Sequence, residues 1–247
     1  MYSWRTLRAL CVLLLLLPVV HLVYLLSRDT MDLLESSPEA WNRELEAYAR
    51  EDSANHLPTD PIVVVGGKRV RLWYGLEEFL TPRPVLMRGL GDATVDDIVY
   101  NYSALIGFYR PKSLVLLPSN SEFHIRDNKG AEELFRGIRK LVQLDASHDV
   151  TRHIYIFSPI KTPLYPGDDE IIDRVTALLD TWAQQKGRVT FLDANAILAN
   201  GDGRPKPDYF RSDGVNLNDH GYLRLSLLLR SQLELDERAG KELLGSN

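Results

Sequence analysis

Pro61-Ile62-Val63-Val64-Val65-Gly66-Gly67 is a run of β-branched residues set between a proline and two glycines. Consecutive apolar residues without alternation fit a strand buried on both faces, the habit of parallel sheets. Similar runs recur at Pro84-Val85-Leu86-Met87, Ser113-Leu114-Val115-Leu116-Leu117, His153-Ile154-Tyr155-Ile156-Phe157 and Val189-Thr190-Phe191-Leu192. Between them apolar residues fall at helical spacing. Val95, Ile98, Val99, Tyr102, Leu105, Ile106 and Tyr109 make one such face, halted by Pro111. Ala131 to Leu144 makes a second, and Ile171, Ile172, Val175, Leu178, Leu179 and Trp182 a third, closed near Gly187; Tyr222 to Leu235 is the last. Strands alternating with helices predict an α/β domain whose five-stranded parallel sheet is covered on both faces. Ligands of such sheets sit beyond the carboxyl ends of the strands, so the residues after each strand carry the functional information.

Ahead of the first strand, Ser37-Pro38 opens a short helix with a hydroxyl cap and a proline at the first helical position. Its Trp41, Leu45 and Tyr48 fall on one stripe, which is expected to pack on the main domain, and residues 55–61 read as a linker with two prolines. Further upstream, Ala9 to Leu26 is apolar apart from Pro18, His21 and Tyr24, just long enough for a tilted membrane span. Arg5 and Arg8 precede it, while Asp29, Asp32 and Glu35 follow with only Arg28 among them. That asymmetry keeps the N-terminus cytoplasmic and sends the remainder to the extracytoplasmic, periplasmic side. A cleaved signal peptide is the alternative, but no small-x-small site follows the apolar run. Cys11, the only cysteine, is preceded by Leu10 and followed by the apolar run, a poor setting for a lipoprotein. The expected organisation is an anchor over 1–28, a juxtamembrane helix and linker over 29–60, the main α/β domain over 61–238 and a tail over 239–247.

A single cysteine excludes an intrachain disulfide framework and a cysteine-rich zinc site. A net charge of −5 without a basic stripe speaks against nucleic acid as a partner. His124, His148 and His153 lack metal-ligand spacing and are expected to be surface or structural; no metal or cofactor is implied. Gly66-Gly67 lacks the longer glycine spacing and the Lys-Ser/Thr pair of a phosphate loop.

Four segments carry a resemblance. They are Val65-Gly66-Gly67-Lys68-Arg69-Val70-Arg71-Leu72-Trp73, Arg88-Gly89-Leu90-Gly91-Asp92-Ala93-Thr94, Leu117-Pro118-Ser119-Asn120-Ser121-Glu122, and Asp213-Gly214-Val215-Asn216-Leu217-Asn218-Asp219-His220-Gly221-Tyr222. In order and spacing they resemble the blocks of the SGNH, or GDSL-type, hydrolases, over about residues 38 to 235. The resemblance implies a three-layer α/β/α fold with a flavodoxin-like five-stranded parallel sheet. It also implies a serine nucleophile in the first block, an oxyanion hole from a glycine in the second and an asparagine in the third, and a base histidine oriented by an aspartate in the last. At those positions this chain has Lys68, Asp92, Ser121 and Asn216; only Asp213 stands as the family has it.

The chemistry changes accordingly. Lys68 has no hydroxyl to acylate, and the carboxamide of Asn216 takes up no proton near neutral pH. In subtilisin, loss of nucleophile or base costs about six orders of magnitude in turnover. A one-residue slip would put Gly91 and Asn120 in the oxyanion positions, but no serine lies between Ser53 and Ser103 to replace the nucleophile. The remaining route to an enzyme is a serine following a strand (Ser119, Ser121 or Ser158) served by His220. Lys68 is expected to pair with Asp92, Asp213 or Glu122 and occupy the former reaction centre. Trp73 is expected in the core rather than as a sugar platform. The expected function is a membrane-anchored protein of this hydrolase fold without hydrolytic activity, which binds an acyl or glycan ligand or an envelope protein partner. An active GDSL-type esterase or acyltransferase, and a purely structural protein with a sealed cleft, are the rivals.

Overall fold

The computed structural model of the chain describes residues 16–24, 38–124 and 126–245, which fall into two units, one up to Ala40 and one from Trp41 onward. In the first, residues 16–24 are helical, with Leu16, Leu17, Val19, Val20, Leu22 and Val23 exposed. Among the described residues no helix is long and apolar enough to cross a membrane. The flanks of the expected anchor, including Arg5, Arg8 and Arg28, and the Ser37 cap lie outside the described residues.

The second unit is an α/β domain. Five parallel strands, β1 (Ile62–Gly66), β2 (Val85–Gly89), β3 (Ser113–Leu117), β4 (His153–Phe157) and β5 (Val189–Leu192), lie in the order β2-β1-β3-β4-β5. This is the doubly wound order, whose switch point falls between β1 and β3. Every strand matches its apolar run to within two residues. The helices are α1 (Asn42–Ala54), α2 (Lys68–Arg71), α3 (Leu76–Phe79), α4 (Val95–Tyr100), α5 (Tyr102–Leu105), α6 (Ala131–His148), α7 (Asp169–Ala183), α8 (Ala194–Leu198) and α9 (Asp219–Gly245).

Because side chains alternate along a strand, each strand feeds two cores. Val63, Val65, Leu114, Leu116, Ile154 and Ile156 join one core under α4, α6 and α7. Ile62, Val64, Val115, Leu117, Tyr155 and Phe157 join the other under α2, α8 and α9. Residues 42–54 belong with the first of these: Trp41, Leu45 and Tyr48 pack there as their stripe predicts. The Tyr48 hydroxyl donates to the Gly89 carbonyl at 2.5 Å, and Arg88 pairs with Asp52 in a buried bridge.

One helix differs from its pattern. The face from Val95 to Tyr109 is broken into α4, α5 and a final 3-10 turn over Gly107–Tyr109. Asn101 turns its side-chain amide back to the Asp97 carbonyl at 3.0 Å, offering the backbone a local alternative to helix.

Trp73 is buried in the second core, stacked on Tyr222 and edge-on to Phe157, with its indole N–H donating to Ser226 Oγ at 2.9 Å. Trp73→Phe is expected to lower the unfolding free energy by about 2 kcal/mol, from one lost buried hydrogen bond and a smaller ring. A urea midpoint that falls with an unchanged slope checks this.

Candidate functional site

The cleft lies at the carboxyl edge of the sheet, where the resemblance places it, and it is built by close backbone approach. A methyl group on Gly66 would sit 2.3 Å from the Leu117 carbonyl oxygen, and one on Gly67 would sit 2.8 Å from the Ser119 side chain. Only glycines let the β1 and β3 loops meet so closely. Lys68 then opens α2, Asp92 follows β2, and Ser119, Asn120 and Ser121 follow β3. Together with Asp213 and Asn216 these residues line a cavity of about 230 Å³. The family-equivalent positions Lys68, Asp92, Ser121, Asp213 and Asn216 therefore converge in one place.

Their chemistry is settled by their partners. One Asp213 oxygen accepts from the backbone N–H groups of Val215 and Asn216, at 2.9 and 2.8 Å; the other accepts from the Asn216 amide at 2.7 Å. Partial burial opposes ionisation of Asp213, but these bonds and Arg211 hold its carboxyl below its ordinary value. Asp213 thus holds the Asn216 amide at the cleft.

Lys68 does not behave as expected. It is exposed, and among the described residues it forms no ion pair. Glu122 is unavailable to it because that carboxylate turns into the protein, accepting from the Val95 N–H at 2.5 Å and from Lys129 at 2.7 Å. Asp213 is engaged with its own turn. The ammonium keeps its hydration instead of entering a partly buried pair, whose net gain is small.

The loops decide the oxyanion positions differently in the two blocks. Gly91 does not line the cleft: its N–H donates to Glu44 on α1 at 3.2 Å, and a methyl group there would meet Trp41 at 2.6 Å. Asp92 lines the cleft in its place. In the third block both Asn120 and Ser121 line the cleft, and the Asn120 amide nitrogen is buried without a partner among the described residues. Ser119 and Ser121 face one another, Oγ to Oγ at 3.0 Å.

His220 sits exposed on the first turn of α9 and does not line the cleft, so it serves none of the serines there. Ser158 is fully buried and caps α8 through the Ala194 N–H at 3.0 Å, a structural task. Of the expected rescue, Ser119 and Ser121 line the cleft, whereas Ser158 and the base His220 do not.

Two cleft residues escaped the sequence reading. Arg69 is buried, donates one Nη to the Val215 carbonyl at 2.9 Å, and has its pKa pushed down to about 10 by burial. His124, expected to be surface or structural, stands at the cleft wall with Nε2 2.7 Å from Asp168 and its ring stacked on Tyr165 at 4.3 Å. Asp168 is 44 positions away in sequence, so no local pattern announces the pair. His148 and His153 lie elsewhere; His153 Nε2 bonds Thr190 Oγ1 at 2.7 Å at the start of β4. Among the described residues no group of three His, Cys, Asp or Glu side chains is arranged to hold a metal ion.

No family model matches the sequence, and no curated protein does. Solved structures match the fold. A Streptococcus pneumonia protein given as a candidate platelet activating factor superposes with a TM-score of 0.68 at 18% identity, covering 87% of this chain and 99% of its own. A candidate acylhydrolase from Bacteroides fragilis gives 0.66 at 17% identity, covering 78% and 96%. A GDSL-like lipase from Bacteroides thetaiotaomicron gives 0.65 at 17% identity, covering 78% and 98%. The β2-β1-β3-β4-β5 sheet and its two helical layers are thus the fold of the GDSL-type, or SGNH, hydrolases.

Proposed function

We propose that this chain is a membrane-anchored, extracytoplasmic protein of the SGNH-hydrolase fold that binds an acyl or glycan ligand in its cleft without cleaving it. The observation that carries the reading is the state of the cleft. It stays open at about 230 Å³, yet Asp213 holds Asn216 where a base would be and Lys68 replaces the nucleophile. A sealed cleft would have favoured a purely structural role instead. The anchor rests on the apolar stretch Ala9 to Leu26 and the charges around it, and an envelope protein is a compatible partner.

One observation favours a second reading. His124, which lines the same cavity as Ser119 and Ser121, forms an imidazole–carboxylate pair with Asp168 behind it. In an esterase of that kind a serine hydroxyl would attack the ester carbonyl and His124 would take its proton. Neither serine is hydrogen-bonded to His124; they bond each other instead.

Short-chain aryl-ester turnover by the full chain in neutral detergent separates the two. The expected rate equals the background, with no change in Asp213→Ala or His124→Ala. Turnover abolished by Asp213→Ala would overturn the proposal, and turnover abolished by His124→Ala would establish the second reading.

A further inference from the structure

The amino-terminal edge of the sheet carries a second opening, which the function proposed for the cleft does not use. It is a groove of about 830 Å³ bordered by the segments leading into β1, β3, β4 and β5. Strands of five residues separate it from the cleft by roughly 17 Å. Its charged residues are Asp60, Arg110, Lys112, Asp149, Arg152 and Arg188.

Four cations face two carboxylates there, in a chain whose net charge is −5. Arg110, Lys112 and Arg152 are exposed, and none forms an ion pair with a described residue. The two carboxylates do not neutralise them either, since no ion pair joins Asp60 or Asp149 to any of the four. Arg188 is the fixed member. It pairs with Asp145, a fully buried carboxylate that also accepts from Tyr102 at 2.9 Å and Thr151 at 2.6 Å. That leaves the Arg188 Nε buried without a partner among the described residues.

The backbone around the groove is unusual as well. Among the described residues the non-glycine positions at positive φ are Asp60 at 53°, Arg110 at 45° and Asp149 at 47°, and all three border this groove. Asp tolerates the left-handed region, but an arginine there costs about 1 kcal/mol or more. Such a cost is borne at Arg110, two residues before Lys112, at the mouth of the groove.

We propose that this groove is a second binding site, which takes a phosphate-bearing anion between the guanidinium groups of Arg110, Arg152 and Arg188 and the ammonium of Lys112. A guanidinium presents a planar fork of donors that matches phosphate oxygens in pairs, and an ammonium adds a compact charge. With Asp145 counted against Arg188, one positive charge is left over, which suits an anion. Soluble diphosphates and phospholipid headgroups both offer this chemistry.

The test is a titration of the full chain in neutral detergent with two probes, followed by the phosphorus NMR signal of each. One is pyrophosphate; the other is glycerophosphoglycerol, the deacylated headgroup of phosphatidylglycerol. Saturable binding of at least one probe is expected, weakened about tenfold or more in Arg110→Asn/Arg152→Gln and weakened by added salt. Asparagine is chosen at position 110 because it tolerates the left-handed backbone. Binding of pyrophosphate alone assigns a soluble ligand, and binding of glycerophosphoglycerol assigns a headgroup; either supports the site. Absence of binding by both probes overturns it, as does binding unchanged in the double variant. Binding that disappears in Lys68→Ala also overturns it, because it places the anion in the cleft. Should the double variant lose its fold, the exposed single change Lys112→Gln gives the same reading through a smaller loss.

Discussion

Lys129→Met is expected to lower the unfolding free energy by about 3–5 kcal/mol at pH 8, the cost of leaving a buried charge without its partner. Lys129 is almost wholly buried and bridges Glu122 and Asp96, each at 2.7 Å, so its ammonium is the counter-charge of a carboxylate with no exposure at all. Burial pushes the Glu122 carboxyl up to about 7, against the pull of Lys129 and the Val95 N–H. The sign of the pH dependence follows. A carboxyl whose folded pKa lies above its unfolded value binds its proton more tightly in the folded state. Its contribution to stability is therefore fully present below the unfolded value and is lost as pH rises through about 7. Removing Lys129 raises that pKa further, so the deficit of the variant should shrink on going from pH 8 to pH 5, where Glu122 is protonated. Urea unfolding at the two pH values measures this; a deficit that is small at pH 8, or that grows on acidification, would show that the bridge does not stabilise the fold.

The second large effect is a gain. Lys68→Ser/Asn216→His is expected to raise aryl-ester turnover at least about a hundredfold over the parent, the lower end of what a positioned general base contributes. The geometry favours it because the orienting carboxylate is already built. Asp213 reaches the side chain at position 216 at 2.7 Å, so an imidazole there would find its N–H accepted and its other nitrogen directed to the cleft. Lys68 is exposed and unpaired among the described residues, so a serine in its place breaks no ion pair. The gain should vanish when Asp213→Ala is added. A double variant that folds but stays at background would mean that Asp92, which lines the cleft where a glycine N–H is wanted, blocks the developing oxyanion by itself.

The sheet could be read from the residues because β1 and β3 are buried on both faces, β4 nearly so, and each strand advertises itself locally. Ile62–Gly66 and Val189–Leu192 need no partner to be recognised, only an unbroken apolar run. The break at Asn101 could not be read, since the periodicity of the flanking residues continues across it. In the cleft, the positions carried by sequence blocks came together, whereas those that depend on distant folding did not announce themselves. His124 finds Asp168, and Arg69 finds the Val215 carbonyl 146 residues away, only once the loops are assembled. The expected Lys68 ion pair failed for a related reason. Three carboxylates were near in blocks, but Glu122 had a buried cation of its own in Lys129, and Asp213 had backbone donors.

The hydroxyl bond from Tyr48 to Gly89, the Arg88–Asp52 bridge and the Glu44 bond to Gly91 all fasten α1 beside β2, the outermost strand. A border strand left bare is a template on which a foreign chain can crystallise, and its idle carbonyls invite runaway stacking. The helix ahead of the first strand therefore works as a selvedge that keeps the weave from growing.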